Sequence, residues 1–467
     1  MRVLLINAPY QFSDPIAHRT ELLGLEYLGS SLRETGHEVF IYDPTMSKPN
    51  QLPNGLYYYG TTYADMYNKI KSYRPDCVGI SCHYSYASKE AFKLAEIVKN
   101  INSDIVVVMG GLFISVFNEK ALIECDAIDY CLIGESEMSF PDLLLNISLK
   151  TKKLDEVDGL IYRTGNKILK NNKCKYIDEL DSLPFPARDM VDIASYMRVS
   201  ETRRLYGLGT KPTLSLLTSR SCPYRCSFCN MKLVHGPRWR KRTPENVVNE
   251  LDEIINKYKA EHVFIMDDNF TFKPDRTKSI CERIIEKGYK FRWNTPNGIS
   301  VKRVDEEMAY LMKRAGCANV CIAIESGSEY IRREIMNKKI SNSEIENAVK
   351  CFKKANIPVV GFLILGIPGE EEEHFNETLK FVTSLTLTSI VVSFATPFHG
   401  TKLHEDLIRQ GIIDENFTIG IDDLNHPVYS TNSFTKDVLV KRKKILKDFF
   451  PSLAILYELE VKNEQYL

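Results

Sequence analysis

The sequence predicts an α/β protein: a doubly wound, Rossmann-like parallel sheet first, an incomplete (β/α)6 barrel of TIM type second, and a helical C-terminal tail. Three observations predict it. Short apolar runs in the first 150 residues alternate with amphipathic stretches, the pattern of strands joined by crossover helices. Further strand-length runs recur from residue 213 to residue 394, again with helical stretches between them. Three cysteines, Cys222, Cys226 and Cys229, follow the first of those runs within one short loop.

The first strand is the apolar run Val3–Asn7, followed by a helix from Leu22 to Glu34 that Gly36 ends. Glu38–Asp43 is the next strand, stopped by Pro44, and residues 46–74, with Tyr57, Tyr58, Tyr59 and Tyr63, read as a long insertion. Cys77–Ser81 is a third strand, with a helix over Ser88–Lys99; Ile105–Met109 and Ala127–Ile133 are the fourth and fifth. Ligands of such sheets bind beyond the carboxyl ends of the strands. Those ends carry Asn7-Ala8-Pro9, Ser81-Cys82-His83, Gly110-Gly111 and Gly134-Glu135. This domain is expected over residues 1–150.

Residues 151–204 read as a linker. It holds a small hairpin around Thr164-Gly165-Asn166 and an extended strap, Leu183-Pro184-Phe185-Pro186. Tyr196–Leu208 is expected to be a mobile segment over the site.

The barrel is expected over residues 205–400. Its strands are read at Thr213–Thr218, Val263–Met266, Phe291–Asn294 (ending near Pro296-Asn297), Val320–Ile324, Val359–Leu365 and Ile390–Phe394. A helix from Pro244 to Tyr258 takes Thr243 as its N-cap and proline at its first position. Residues 401–467 are rich in helix and lysine, with an amphipathic helix over Asp437–Phe450 that stops before Pro451.

Composition bounds the function. A chain of 467 residues holds two to four domains. The 61 Lys+Arg and 61 Asp+Glu cancel, so there is no bulk field for nucleic acid or an acidic membrane, and a nucleic-acid partner is not expected. The basic runs Arg238–Arg242 and Lys441–Lys444 read as solvated faces, or else as contacts to a phosphate-bearing ligand. No apolar run is long enough to span a membrane. No export signal is visible after Met1-Arg2, so a cytoplasmic protein with reduced thiols is expected. Of its 12 cysteines, those outside the Cys222–Cys229 loop read mostly as small buried hydrophobes.

The loop Cys222-Pro223-Tyr224-Arg225-Cys226-Ser227-Phe228-Cys229 resembles the signature of the radical S-adenosylmethionine (SAM) enzymes. In that family three thiolates hold three irons of a [4Fe–4S] cluster. The amino and carboxylate groups of SAM take the fourth iron, and reductive cleavage gives a 5′-deoxyadenosyl radical. Cys222, Cys226 and Cys229 are the implied ligands, and Phe228 stands where the family places an aromatic beside adenine. A zinc knuckle is the alternative, and it needs a fourth protein ligand such as His235 or a remote cysteine.

Other strand ends carry the resemblance further. Asp267-Asp268-Asn269 is similar to the motif that holds the SAM ammonium, Glu325-Ser326-Gly327-Ser328 to the ribose motif, and Gly366-Ile367-Pro368-Gly369 to the turn facing adenine. These imply Asp267, Asp268, Asn269, Glu325, Ser326, Gly366 and Pro368 as SAM-binding residues. The first domain resembles the cobalamin-binding domain that precedes such barrels. Asn7, Pro9, Ser81, His83, Gly110, Gly111, Gly134 and Glu135 are the implied cofactor contacts. Two departures stand out: there is no Asp-x-His-x-x-Gly motif, and Phe113 stands where relatives often have a histidine. The alternative is a domain of this fold that binds nothing.

The resemblance implies a cobalamin-dependent radical SAM methyltransferase. It would act on an unactivated carbon of a small molecule, peptide or lipid, through methylcobalamin and a 5′-deoxyadenosyl radical, with a flavodoxin- or ferredoxin-type electron donor. A radical cyclase, ring-contraction or other rearrangement enzyme shares the layout. No catalytic side chain can be picked from the sequence.

Overall fold

In the computed structural model, residues 1–14, 19–150, 153–198, 211–421, 423 and 425–451 are described. The chain divides into two units, Met1–Ser195 with Met231–Pro237, and Tyr196–Asn230 with Arg238 onward.

Unbroken apolar runs make the first unit's sheet, as a sheet covered on both faces requires. Its strands are β1 (Arg2–Asn7), β3 (Glu38–Tyr42), β6 (Cys77–Ser81), β7 (Val106–Gly110) and β8 (Tyr130–Leu132), with the short β2 (Tyr10–Phe12), β4 (Asn50–Gln51) and β5 (Tyr57–Tyr59) outside it. Side-chain alternation splits the core. Leu4, Ile6, Val78, Ile80, Val107 and Met109 pack on one face, and Val3, Leu5, Cys77, Val108 and Leu132 on the other. The parallel order is β3-β1-β6-β7-β8. The chain steps from β1 to β3, then returns to β6 on the other side of β1. The topological switch point therefore lies between β1 and β6, where Asn7 pairs with Ser81.

Two segments differ from expectation. The hairpin β9 (Leu160–Thr164) and β10 (Lys167–Lys170) does not stand apart as linker: β9 pairs antiparallel with β8 and extends the sheet to seven strands. The insertion at 46–74 contains a helix, Tyr63–Tyr73, capped by Thr62, and β2-β5-β4 form a small antiparallel sheet. Its tyrosines hid the helix, because aromatic residues favour strands. A short helix, Ile193–Arg198, covers the start of the segment read as mobile, and 199–208 lie outside the described residues.

The second unit opens with β11 (Thr213–Leu216), followed by a two-stranded ribbon of β12 (Ser219–Arg220) and β13 (Arg240–Lys241). The remaining strands are β14 (His262–Ile265), β15 (Arg292–Ile299), β16 (Cys317–Glu325), β17 (Val359–Leu365) and β18 (Ser389–Phe394). They form one parallel sheet in the order β11-β14-β15-β16-β17-β18, a partial barrel. Helices Pro274–Lys287, Glu306–Arg314, Asn342–Lys354 and Glu372–Ser384 connect successive strands. Thr243 caps the helix Pro244–Asp252 as expected, and Ser341 with Glu344 forms a capping box. β15 runs on past Asn294 to Ile299, with register shifts against β16. The proline at 296 did not end it, because the irregular register spares the missing N–H.

The tail packs as helices Lys402–Arg409 and Lys436–Asp448. The basic runs are not plain solvated faces. Arg240, Arg242 and Arg442 are buried. Arg242 donates to the Leu217 carbonyl at 2.9 Å and pairs with Glu250. Arg442 pairs with Glu372 at 2.7 Å. Buried guanidinium with carboxylate and carbonyl partners is structural strapping. Outside the Cys222–Cys229 loop, every cysteine but Cys174 is buried. No helix among the described residues is long and apolar enough to cross a membrane.

Candidate active site

The three-cysteine loop follows β12, just beyond the carboxyl end of β11. Cys222, Cys226 and Cys229 are half-buried free thiols. A turn closes the loop, Cys229 N donating to Cys226 O at 3.2 Å. Neighbouring segments hold it: Ser227 N donates to Met336 O at 2.9 Å, and Ser227 O accepts from Leu403 N at 2.9 Å. Asn337 Nδ2 donates to Arg225 O at 2.8 Å. Burial pushes the Cys226 thiol up to about 12, with the Lys338 ammonium opposing. Burial also raises Cys222, against hydrogen bonds from the Tyr224 backbone and Asn269. Iron must displace these protons on binding. Among the described residues no three His, Cys, Asp or Glu side chains converge as one metal ion requires. In a four-iron cluster each thiolate binds its own iron, so such convergence is not needed. Three soft thiolate donors on one fixed loop fit that group. His235, the candidate fourth zinc ligand, pairs instead with Glu135 at 2.9 Å.

The motif after β14 divides into different roles. Asp267 is buried, and its carboxylate accepts from Thr218 N at 2.6 Å, Thr218 Oγ1 at 2.5 Å and Ser219 Oγ at 2.5 Å. It ties the end of β14 to the end of β11 rather than facing a ligand. Asp268 is half-buried, and its charge acts on Cys222. Asn269 is buried, its Nδ2 lies 3.7 Å from Cys222 Sγ, and its Oδ1 has no hydrogen-bond partner. A buried amide oxygen without a donor, beside a candidate cluster ligand, suits an ammonium group.

At β16, Glu325 sits at φ 62°, a conformation uncommon outside glycine and typical of functional turns. Its carboxylate takes the Lys338 ammonium at 2.8 Å. Ser326 Oγ is paired with Thr378 Oγ1 at 3.1 Å, while the buried Ser328 Oγ lacks a partner. The ribose motif thus offers Ser328 as well as the residues singled out in the sequence. Gly366 lies at φ 86°, and an added Cβ would come within 2.6 Å of Leu439 Cδ1. Its carbonyl accepts from Tyr429 Oη at 2.6 Å and its N–H donates to Glu370 Oε2 at 2.6 Å. Burial raises Glu370 to about 7. The tail therefore braces this turn. Pro368 and Phe228 are half-buried.

In the first unit the expected residues lie at or just after the carboxyl ends of β1, β6, β7 and β8. Asn7 Nδ2 donates to Asp43 Oδ1 at 3.1 Å, Pro9 is buried, and Ser81 O accepts from Ala8 N at 3.0 Å. Gly111, at φ 98°, lets the chain pass so close that a Cβ would lie 2.5 Å from Cys82 O. A Cβ on Gly110 would meet nothing nearer than Leu132 O at 3.8 Å. Gly134 N is held by Ser115 Oγ at 2.9 Å. Glu135 is buried against His235, and His83 is exposed. Small residues at neighbouring strand ends, with Gly111 allowing close backbone approach, fit a large planar cofactor.

Sequence reasoning missed Met336, Asn337 and Lys338, which lie over 100 residues from the loop they hold, and Thr218 and Tyr429. None has a motif. Only the strand-end position of Thr218 offered a signal.

Residues 216–382 match the radical SAM superfamily model and residues 15–144 the B12 binding domain model. The chain is 32% identical over 415 residues to the uncharacterized methyltransferase PH0819 of Pyrococcus horikoshii, covering 88% of this chain and 84% of that one. It is 27% identical over 446 residues to cytidylyl-2-hydroxyethylphosphonate methyltransferase of Streptomyces wedmorensis, covering 88% and 83%. Among solved structures, the radical SAM methyltransferase TsrM of Kitasatospora setae, with cobalamin and a [4Fe–4S] cluster bound, superposes with a TM-score of 0.69. That match has 18% identity and covers 88% of this chain and 75% of that one. The chain belongs to the radical SAM superfamily, in the methyltransferase branch that carries a B12-binding domain.

Proposed function

We propose that this protein moves a methyl group to an unactivated carbon of a small molecule, peptide or lipid, with SAM, a [4Fe–4S] cluster and cobalamin as its cofactors. The observation that carries the reading is the three-thiol loop just beyond β11 and β12, with the unpartnered Asn269 Oδ1 on the side chain beside Cys222, in a chain that also has a B12-binding domain. When bound, these cofactors supply methyl transfer and radical hydrogen abstraction.

The chain's own residues bind and orient. Cys222, Cys226 and Cys229 would hold the cluster and leave one iron open. Asp268 and Asn269 Oδ1 would take the SAM ammonium, with Phe228 and the braced turn at Gly366 and Pro368 beside adenine. Glu325, Ser326 and Ser328 would face the ribose side. Asn7, Pro9, Ser81, His83, Gly110, Gly111, Gly134 and Glu135 would line the cobalamin site. Asp267 would keep the loop and the acidic turn in register, since radical chemistry is productive only in a fixed geometry. A flavodoxin- or ferredoxin-type protein would supply electrons in the cytoplasm.

Candidate substrates incubated anaerobically with the reconstituted enzyme and methyl-deuterated SAM test the reading. The expected product is heavier than substrate by one trideuteromethyl group in place of hydrogen. A product of unchanged mass would replace methylation with cyclisation or rearrangement.

A further inference from the structure

One segment after β16 is built around Cys226. Met336 O and Asn337 Nδ2 bond to Ser227 N and Arg225 O, at 2.9 Å and 2.8 Å. These bonds grip both flanks of the cysteine. Three non-glycine residues here have left-handed backbone: Ser221 (φ 71°), Glu325 (φ 62°) and Asn337 (φ 52°). Such backbone, at the end of β16, on the segment after it and at the start of the cysteine loop, marks geometry that the surrounding fold enforces. The residue that follows is Lys338. Its side chain is only 13% exposed, and Nζ is fixed on Glu325 Oε1 at 2.8 Å. Lys338 follows directly on Met336 and Asn337, whose bonds hold the residues on either side of Cys226.

A buried lysine with one carboxylate partner would be ordinary scaffolding if it lay elsewhere. Here the backbone that carries it is bonded to the cluster loop itself. We propose that Lys338 is a positioning residue for the cluster, whose fixed positive charge raises the cluster's reduction potential, and that Glu325 sets how much of that charge the cluster feels. The reduced cluster carries one more negative charge than the oxidised one, so a fixed cation beside its thiolates favours the reduced form. In the step concerned, one electron passes from a low-potential donor to the oxidised [4Fe–4S]2+ cluster, giving [4Fe–4S]+. The donor is oxidised by that electron, and no bond is made or broken. Glu325 then acts through Lys338, in addition to any contact with the ribose.

The inference rests on the assignment of the three cysteines to a cluster. Iron content and the reduced-cluster electron paramagnetic resonance (EPR) signal of the wild-type protein test that assignment separately. The experiment is an EPR-monitored redox titration of the anaerobically reconstituted full chain with titanium(III) citrate, in the absence of SAM. Lys338→Met is expected to load iron fully, and its ratio of reduced to oxidised cluster at a fixed potential should fall about tenfold, a shift of about 59 mV to more negative potential. Lys338→Arg should restore the wild-type curve, and Glu325→Gln should shift it the opposite way. A fully loaded Lys338→Met protein that titrates on the wild-type curve overturns the proposal. If Lys338→Met fails to load iron, Glu325→Gln decides: no positive shift overturns the proposal, since Lys338 would then only hold the loop.

Discussion

A Cys226→Ala protein is expected to assemble no complete [4Fe–4S] cluster and to form no 5′-deoxyadenosine from SAM. Cys226 is the central thiol of the loop, and its flanks are fixed by bonds from Met336 and Asn337. No other cysteine stands between Cys222 and Cys229. The nearest in sequence outside the loop are Cys174 and Cys281, the first exposed and the second buried on the helix Pro274–Lys287. The loss should be total rather than graded, because two thiolates leave two irons without protein ligands. The fold should survive, since a half-buried thiol contributes little core. Iron and sulfide content, with chromatography of deoxyadenosine, checks this. Retained cleavage would remove the cluster from Cys226.

Asp267→Ala is expected to cause the largest loss of stability of any strand-end substitution, about 3 kcal/mol or more. The carboxylate is 1% exposed and accepts three hydrogen bonds from Thr218 and Ser219. Truncation leaves the Thr218 N–H and two hydroxyls buried without an acceptor. Asp268→Asn should behave in the opposite way. It should leave the unfolding midpoint near wild type and weaken SAM binding at least about tenfold, the cost of one charge-assisted contact. Thermal unfolding and anaerobic equilibrium dialysis with labelled SAM separate the two. If Asp267→Ala keeps its stability but loses SAM, the roles of the two acids are reversed.

These neighbouring acids show what could be read from the chain. The strand ends were legible because apolar runs of strand length stop at Asp267, Glu325 and Gly366, and parallel sheets put chemistry there. The cysteine spacing was legible because one loop holds it all. Which acid turns inward was not, because that depends on the hydroxyls of Thr218 and Ser219, some 48 residues earlier. The same holds for Lys338, whose partners are set by tertiary packing. Arg242 and Arg442 were misread for a related reason. A run of basic residues looks solvated until its buried carboxylates, Glu250 and Glu370, are placed in space. The β9–β10 hairpin was found, but its pairing with β8 was not, since strand pairing leaves no local mark.

Bound cobalamin per chain tests the central claim most directly. The protein is reconstituted with iron and sulfide under anaerobic conditions, loaded with hydroxocobalamin, freed of excess and measured by absorbance. About one cobalamin per chain is predicted, with a spectrum lacking a nitrogen lower ligand, since the chain has no Asp-x-His-x-x-Gly motif. A protein that cleaves SAM yet retains no cobalamin would contradict the account and leave the first unit a fold without its cofactor.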